Sequence, residues 1–266
     1  MIRFVQKHIA TLLLWLQRLG LFVVLIFLGW ELYDRLVRSV VEGNFRFWSF
    51  LALWLLTAYI VLPRVHRFLT RLYVPDYFIG RVRTSDGLLA DPVNLAINGS
   101  KKQLKQMFEE AGWVEADPIT LASSWRIVVS SLLRKSYPSA PVSPLFLFGV
   151  QQSIAFQQEI NGNPHARHHV RFWKTPHSWW LPGGTKVDWL GAATYDHSVG
   201  FSLFTGQITH KIAEDTDQER DYVWRSLNQS TVNVEQLKHF MTAYRSRAGG
   251  GDSIMTDGTL VIISPK

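Results

Sequence analysis

The heptapeptide RHHVRFW, at residues 167–173, sets the pattern from which the fold of the second half of the chain can be predicted. Its residues alternate in character as the two faces of a β-strand do. One face would carry Arg167, His169, Arg171 and Trp173. The other would carry His168, Val170 and Phe172, and the two apolar members indicate a face packed in the core.

The first face of this strand holds three cationic or titratable groups, which repel one another unless anions lie opposite them. A ligand phosphate or carboxylate would serve as the anion. The protein's own carboxylates would serve too, and the candidates are Asp196, Asp215 and Asp217. Guanidinium groups pair with both kinds of partner. The strand therefore belongs either to a ligand site or to an internal ion-pair network.

The segments around this strand change their hydrophobic period along the chain. Helical spacing predicts helices at 101–111, 121–133, 215–227 and 234–244. Alternation predicts strands at 93–97, 146–160, 168–174, 187–195, 199–204, 207–212 and 259–263. Because helices flank a run of consecutive strands, we expect an α+β domain with a largely antiparallel sheet.

Further candidate site residues lie beyond the basic strand. Asp196 falls between two predicted strands, where it is either a turn residue that accepts backbone hydrogen bonds or a general base or metal ligand. His210 alternates with two isoleucines, so it is either a core histidine or a functional one. The acidic cluster at 215–220 most simply begins a helix, because carboxylates stabilise a helix N-terminus. Asp217 and Arg220 in that cluster are also candidate ligand-binding residues.

Several chemistries are excluded by the composition. The chain contains no cysteine, which rules out disulfides, thiolate nucleophiles and cysteine-based metal sites. It also lacks the glycine-rich phosphate loops, the HExxH motif and the GxSxG nucleophile elbow. His165-x-x-His168-His169 has a spacing that a metal could use, but a strand would point these rings to different sides. The sequence leaves a divalent metal open as a cofactor without identifying it.

The N-terminal part of the chain carries two apolar runs, at about 9–30 and 46–63. Each approaches the roughly 20 residues that a membrane-spanning helix needs. Arg18 interrupts the first run at a cost of about 2.5–3.5 kcal/mol, which its many apolar neighbours offset. A buried helical hairpin in a soluble protein is the alternative. We predict a transmembrane hairpin at 1–72, a linker at 73–90 and an α+β domain at 91–266.

The positive charge of the chain is concentrated in the same N-terminal part. Residues 1–75 carry nine Lys/Arg and three Asp/Glu, whereas residues 76–266 carry nineteen and eighteen. Nucleic-acid binding needs a basic excess on the folded domain, so it is not expected. Basic residues precede the first apolar run and follow the second. The positive-inside rule therefore favours the cytoplasm for both termini and for the soluble domain.

Five stretches of the chain carry a family resemblance. They are DPVNL at 91–95 with Gly99-Ser100, AGW at 111–113, RHHVRFW at 167–173, GAA at 191–193 with Asp196, and Thr209-His210 followed by Asp217-x-Glu219-Arg220. Together, over residues 88–228, they resemble the LssY C-terminal domain family of bacterial proteins. That domain often follows membrane modules similar to DedA-type proteins or type-2 phosphatidic-acid phosphatases, and its name refers to a proposed link to type I secretion. The resemblance implies work at the inner membrane, on lipid or polyprenyl phosphates.

Two classes of function are consistent with these observations. In the first, the domain binds an anionic lipid headgroup, a phosphate or a membrane protein partner through Arg167, His168, Arg171, Asp217 and Arg220. Its aromatic residues Trp173, Trp179 and Trp180 would then lie at the membrane interface. In the second, a membrane-tethered phosphoester hydrolase or transferase uses His169 or His210 as general acid or base, with Asp196 orienting it or holding a metal. Convergence of His169, Arg171, Asp196 and His210 in one concave pocket would favour the enzyme. Scattered side chains, or arginines saturated by Asp215 and Asp217, would favour a binding or structural role.

Overall fold

The computed structural model describes residues 26–27, 29–31, 33–35, 37–38, 41–42, 47–73, 78–120, 122–123, 126, 136–160, 163–240 and 244–266. These residues fall into two compact units, one that ends at Ile60 and one that runs from Val61 to Lys266. The second unit carries all of the candidate site residues.

The helical segment before the domain consists of helix α1 (Phe47–Leu56), a π-type turn (Thr57–Val61) and helix α2 (Leu62–Tyr73). Within the described residues, one helix is long and apolar enough to cross a membrane, Phe50–Leu69. It extends beyond the predicted span at 46–63, because Pro63 closely follows the π-type turn Thr57–Val61 and does not end the helix. The predicted span at 9–30 lies almost wholly outside the described residues. The described part of the chain thus contains one candidate span and not the expected two-helix hairpin.

The strands and helices of the second unit confirm a mixed α/β domain. The strands are β1 (Arg81–Thr84), β2 (Leu89–Pro92), β3 (Leu95–Ile97), β4 (Val114–Glu115), β5 (Leu145–Leu147), β6 (Val150–Gln151), β7 (Ile154–Ile160), β8 (Asn163–Lys174), β9 (Trp189–Phe201), β10 (Ile208–Ile212), β11 (Val232–Leu237), β12 (Arg245–Arg247), β13 (Ser253–Met255) and β14 (Leu260–Pro265). Besides α2, the described helices of this unit include α3 (Lys101–Glu110) and α4 (Thr216–Ser226). Strand β1 lies in the segment 73–90 that the sequence presents as a linker, and it pairs with β2 and β5.

The described strands form two main sheets. The larger has the order β11-β14-β3-β9-β8-β7-β4, with β10 paired to the second half of β9. The smaller has the order β2-β1-β5-β6, and β12 pairs with β13. Among these named strands, the pairings are antiparallel except for that between β3 and β14. The predicted largely antiparallel sheet is therefore confirmed.

The two faces of β8 pack against different layers, as its alternation predicts. Val170 and Phe172 belong to a core that they share with Phe108 of α3 and Val223 of α4. On the opposite face, Trp173 packs in a core shared with the smaller sheet. The larger sheet is thus covered by helices on one face and by the smaller sheet on the other. The expectation that Trp173 lies at a membrane interface is wrong, because the smaller sheet buries it completely.

Strand β9 is longer than the sequence indicates. The two strands predicted at 187–195 and 199–204 form one continuous strand, so Asp196 lies inside a strand and not in a turn. Asp196 pairs with Arg167 of β8 on one edge and with Ile212 of β10 on the other. The pairing with β10 shifts register beside Asp196, and this irregularity accommodates one extra residue on β9. A bulge of this kind interrupts the alternation that a prediction depends on.

The remaining predictions concern helices, and their outcomes differ with the tertiary partners of each segment. The helix predicted at 101–111 is confirmed as α3, which begins with a capping box formed by Ser100 and Gln103. The helix predicted at 215–227 is confirmed as α4. The helix predicted at 234–244 is wrong, since β11 occupies its first part and pairs with β14 along its whole length. The helix predicted at 121–133 lies mainly outside the described residues.

Candidate functional site

A layer of buried polar side chains lies on the face of β8 that points toward the smaller sheet. We call it the polar layer, and it consists of Gln157 of β7, Arg167, His169 and Arg171 of β8, Thr194 and Asp196 of β9, and Asp91 of β2. Each is at most 6% exposed. The sheet register explains the grouping, because His169 lies directly between Gln157 and Thr194, and Arg167 lies directly beside Asp196. Four of the eight predicted site residues, Arg167, His169, Arg171 and Asp196, therefore converge in this layer.

Asp91 connects the two sheets through this layer. Its Oδ2 lies 3.2 Å from Nη1 of Arg171 and accepts a hydrogen bond of 3.5 Å from the hydroxyl of Thr194. The same hydroxyl lies 2.7 Å from Nε2 of His169. Burial raises the pKa of Asp91, and the positive charges of Arg171 and Arg81 oppose that rise. A chain of polar contacts thus runs from Arg171 to His169.

Asp196 lies between two imidazole rings. Its Oδ2 is 3.5 Å from Nδ1 of His169 and 3.6 Å from Nδ1 of His210. Burial raises the pKa of Asp196 to about 7, although Arg171 and Arg167 act in the opposite direction. Burial lowers the pKa of His169 well below its ordinary value, and the two arginines lower it further. At neutral pH this group of residues therefore holds a neutral His169 beside a carboxyl that is close to its own titration point.

The two arginines of the layer are held at several points but keep free donors. Nη1 of Arg167 donates to Oε1 of Gln157 at 3.2 Å, and its Nη2 lies 3.3 Å from Nε2 of His210. Burial lowers the pKa of Arg167. Within the described residues, the buried Nε atoms of Arg167 and Arg171 have no hydrogen-bond partner. The side chain of His210 is 37% exposed, so the polar layer meets solvent beside Arg167.

His168 lies on the opposite face of β8 and takes no part in the polar layer. Its Nδ1 is 2.7 Å from Oε2 of Glu219 on α4, and its ring stacks on Tyr222 with centroids 3.9 Å apart. Burial raises the pKa of Glu219, whereas the hydrogen bond with His168 lowers it. These contacts join α4 to the sheet.

Asp217 and Arg220 form a second polar group at the start of α4. Arg220 is buried, and its Nη1 lies 2.9 Å from Oδ1 of Asp217 and 2.7 Å from Oδ1 of Asp257. Asp215 caps the helix by accepting hydrogen bonds from the backbone of Asp217 and Gln218. Of the three carboxylates considered as partners for the basic strand, Asp196 lies beside it, and the other two stabilise the start of α4.

Three members of the polar layer were not predicted from the sequence: Asp91, Gln157 and Thr194. Asp91 begins the stretch DPVNL that carried part of the family resemblance, but nothing in its sequence context places it opposite Arg171. Thr194 could have been found, since it alternates with Asp196 along β9. Gln157 could have been found in the same way only if the register of β7 against β8 had been known.

Metal binding gains no support from the described residues, which contain no group of three or more His, Asp or Glu side chains placed to hold a metal ion. Two surface cavities lie elsewhere in the second unit. One of about 420 Å³ is lined by Phe78, Ile79, Arg81, Arg83 and the β5–β6 hairpin, and the other, of about 270 Å³, lies among Ser, Thr and Gly residues that include Thr84, Ser202 and Gly249. Neither is lined by the polar layer.

The fold and the site define a mixed α/β domain with a buried layer of charged side chains between two sheets. The model of the family described as "LssY C-terminus" matches residues 71–260. The chain therefore belongs to the LssY C-terminal family, as its motifs predicted. No curated protein and no solved structure matches the chain.

Proposed function

We propose that the second unit binds a phosphate or phosphoester group through the polar layer, on a protein anchored in the bacterial inner membrane with this unit in the cytoplasm. The observation that carries the proposal is the pair of buried arginines, Arg167 and Arg171, whose Nε–H groups have no acceptor within the described residues. A buried donor without an acceptor costs about 1–3 kcal/mol, and an anion bound beside either guanidinium would supply the missing acceptor.

The charges of the layer also support an anionic ligand. Two guanidinium groups face two carboxyls, and the pKa of each carboxyl is raised by burial. When Asp196 takes up a proton, the layer holds an excess of positive charge that an anion would neutralise. His210 lies outside the polar layer, is partly exposed and contacts Arg167, so a ligand would reach the arginines from that side.

The binding test is calorimetric titration of the detergent-solubilised full chain with inorganic phosphate. Arg167→Lys keeps the charge but loses the planar fork of donors, so we expect phosphate affinity to fall at least tenfold, about 1.4 kcal/mol. Arg245→Gln removes an exposed arginine of β12 and is the matched control, with unchanged affinity expected. Equal affinity in all three proteins would contradict the proposal.

Membrane anchoring is supported by the apolar helix Phe50–Leu69 and by the basic residues that precede and follow the two apolar runs of the sequence. We expect bilayer lipid to be a partner, and a membrane protein partner is also compatible. Nucleic acid is not expected, since residues 76–266 are nearly neutral. The test is extraction with alkaline carbonate, in which an anchored chain stays in the membrane pellet and a peripheral chain is released.

A second candidate function is hydrolysis or transfer of a phosphoester, favoured by the carboxyl of Asp196 between His169 and His210. Either imidazole would act as general acid or base, and Asp196 would orient it or help hold a divalent metal. The test is release of phosphate from lipid phosphates with and without divalent metal. His169→Ala should abolish release while Arg245→Gln leaves it intact, and release that is indifferent to His169→Ala would refute the catalytic role.

A further inference from the structure

The hairpin that joins β9 to β10 carries an apolar tip. Val199 is 44% exposed, Phe201 61% and Leu203 70%. Single exposed apolar side chains are normal on protein surfaces, but several on one projecting hairpin form a patch that usually marks a contact surface. The tip is well defined, because Ser202 accepts hydrogen bonds from the backbone of Phe204 and Thr205, and the backbone N–H of Leu203 donates to the carbonyl of Gly250.

Contacts with helix α2 fix the position of this hairpin. Nε2 of His66 lies 2.7 Å from the carbonyl oxygen of Phe204, to which it donates, and the two rings meet edge to face. A second contact joins the same helix to the loop after β1, where Arg67 lies 3.6 Å from Asp86. Both contacts are made by residues in the second unit, so they fix the hairpin against α2.

The part of α2 that makes these contacts is the end of the candidate membrane span. The span ends at Leu69, three residues after His66, which is about 5 Å along a helix. Arg64, His66 and Arg67 make this end of the span polar, and residues of this kind are commonly found at the ends of membrane-spanning helices, at the headgroup level. With the anchoring proposed above, the hairpin is bound near the level at which this helix would meet the bilayer surface.

From these contacts we infer that the tip of the β9–β10 hairpin is a second membrane-contacting surface, which inserts Phe201 and Leu203 into the interface of the lipid bilayer beside α2. The inference rests on the membrane anchoring proposed above. A bilayer is the occupant that the observations favour, because the hairpin is fixed to a residue of the span itself.

This contact also specifies the ligand class of the polar layer. His210 lies directly across from Val199 in the pairing of β10 with β9, and it contacts both Asp196 and Arg167. An immersed hairpin tip therefore holds the exposed side of the polar layer near the lipid headgroups. The phosphate that the arginines bind is then that of a membrane lipid.

The test uses the absence of cysteine from the chain, which makes single-site labelling free of background. Leu203→Cys and the control Val114→Cys are each labelled with a nitroxide in the full chain, in vesicles of phosphatidylethanolamine and phosphatidylglycerol. Val114 is exposed on β4, which two strands separate from β9 in the sheet. Collisions of the nitroxide with oxygen, which concentrates in lipid, and with a water-soluble nickel complex then report how deep the label lies in the bilayer.

We expect the label at position 203 to lie about 5–10 Å below the phosphates, with frequent oxygen collisions and few nickel collisions. The label at 114 should show the reverse. Equal nickel accessibility at both positions would overturn the inference, and so would a label at 203 shielded from both reagents, which indicates a protein partner.

Carbonate extraction of the same vesicles separates this inference from the anchoring on which it rests. If the chain stays in the membrane pellet but its label at position 203 is accessible to the nickel complex, the anchor is retained and the hairpin contact is refuted. A chain that is released refutes the anchoring proposal. To test the lipid source of the phosphate, phosphatidylglycerol vesicles should compete with inorganic phosphate for the Arg167 site at least ten times better than soluble glycerol phosphate at the same phosphate concentration, and equal competition would refute the ligand class.

Discussion

Among the residues of the polar layer, Asp196 makes the contacts that matter most for acid–base chemistry. Its carboxyl is buried between His169 and His210, and burial raises its pKa to about 7. A carboxyl whose pKa is higher in the folded protein than in the unfolded chain binds more protons when folded. The stability that it contributes is therefore present at low pH and is lost as the pH rises toward 7.

The first prediction follows from the direction of this pH dependence. Asp196→Asn removes the titration and keeps a hydrogen-bonding side chain, so the variant should gain stability relative to the parent as the pH rises from 5 to 8. The gain between these pH values should be on the order of 2 kcal/mol. Thermal melting in detergent at both pH values measures it, with Glu235→Gln on the exposed strand β11 as the control. A difference in Tm that does not change with pH would show that Asp196 titrates normally.

At the same scale, the residues that could be predicted from the sequence are those placed by alternation within one strand. The face shared by Arg167, His169 and Arg171 is an example. Asp91 could not be predicted, because its distance from Arg171 depends on how a second sheet packs on the first. The role of Asp196 was also unclear from the sequence, since the bulge on β9 made a mid-strand residue look like a turn.

At the scale of single elements, β9 depends on close packing at Gly191. A methyl group on this residue would lie 2.5 Å from Cε1 of Phe172, which is fully buried in the core behind β8. The aromatic ring therefore lies against the strand backbone, and its neighbours in the core leave it little room to move.

The second prediction tests this packing. Gly191→Ala should destabilise the domain by about 1–3 kcal/mol, as overpacking of a core does. Denaturant unfolding measures the loss of free energy. Gly191→Ala combined with Phe172→Leu should recover part of the loss, because the smaller side chain leaves room for the methyl group. Full stability of the single variant would mean that the strand can shift to admit it.

Helices α3 and α4 show why some elements were predictable and others were not. Both begin with local signals, a Ser100 capping box and the Asp215 cap, that act within a few residues of sequence. The helix predicted at 234–244 failed because β11 exists only by pairing with β14. Local signals therefore predicted where these helices begin, but they could not predict the pairing of strands that are distant in sequence.

At the scale of the whole molecule, the ion pair of Asp91 with Arg171 joins the two sheets of the second unit. Both side chains are buried, so neither charge is well solvated if it loses its partner. Such a pair contributes little net stability compared with apolar side chains, but breaking it on one side costs several kcal/mol.

The third prediction is a double-mutant cycle on this pair. Asp91→Leu alone should destabilise the protein by about 3–5 kcal/mol because Arg171 keeps an uncompensated charge, and Arg171→Met alone should cost a similar amount because Asp91 keeps its own. Asp91→Leu with Arg171→Met should lose much less, since both charges are removed together. Denaturant unfolding of the single and double variants measures the coupling. Additive losses would indicate that the two side chains do not interact.

The position of β14 beside β3 has a consequence for folding kinetics. This parallel pair lies inside the larger sheet, between β11 and β9, and it joins residues 95–97 to residues 261–263. Closing so long a loop is slow, because its entropy is lost before the new contacts form. The meander of β7, β8 and β9 can form first as a nucleus and β3 can add to β9, and the other edge of β3 then stays open until β14 arrives. Chaperones that shield such an edge would be expected to raise the yield of refolding.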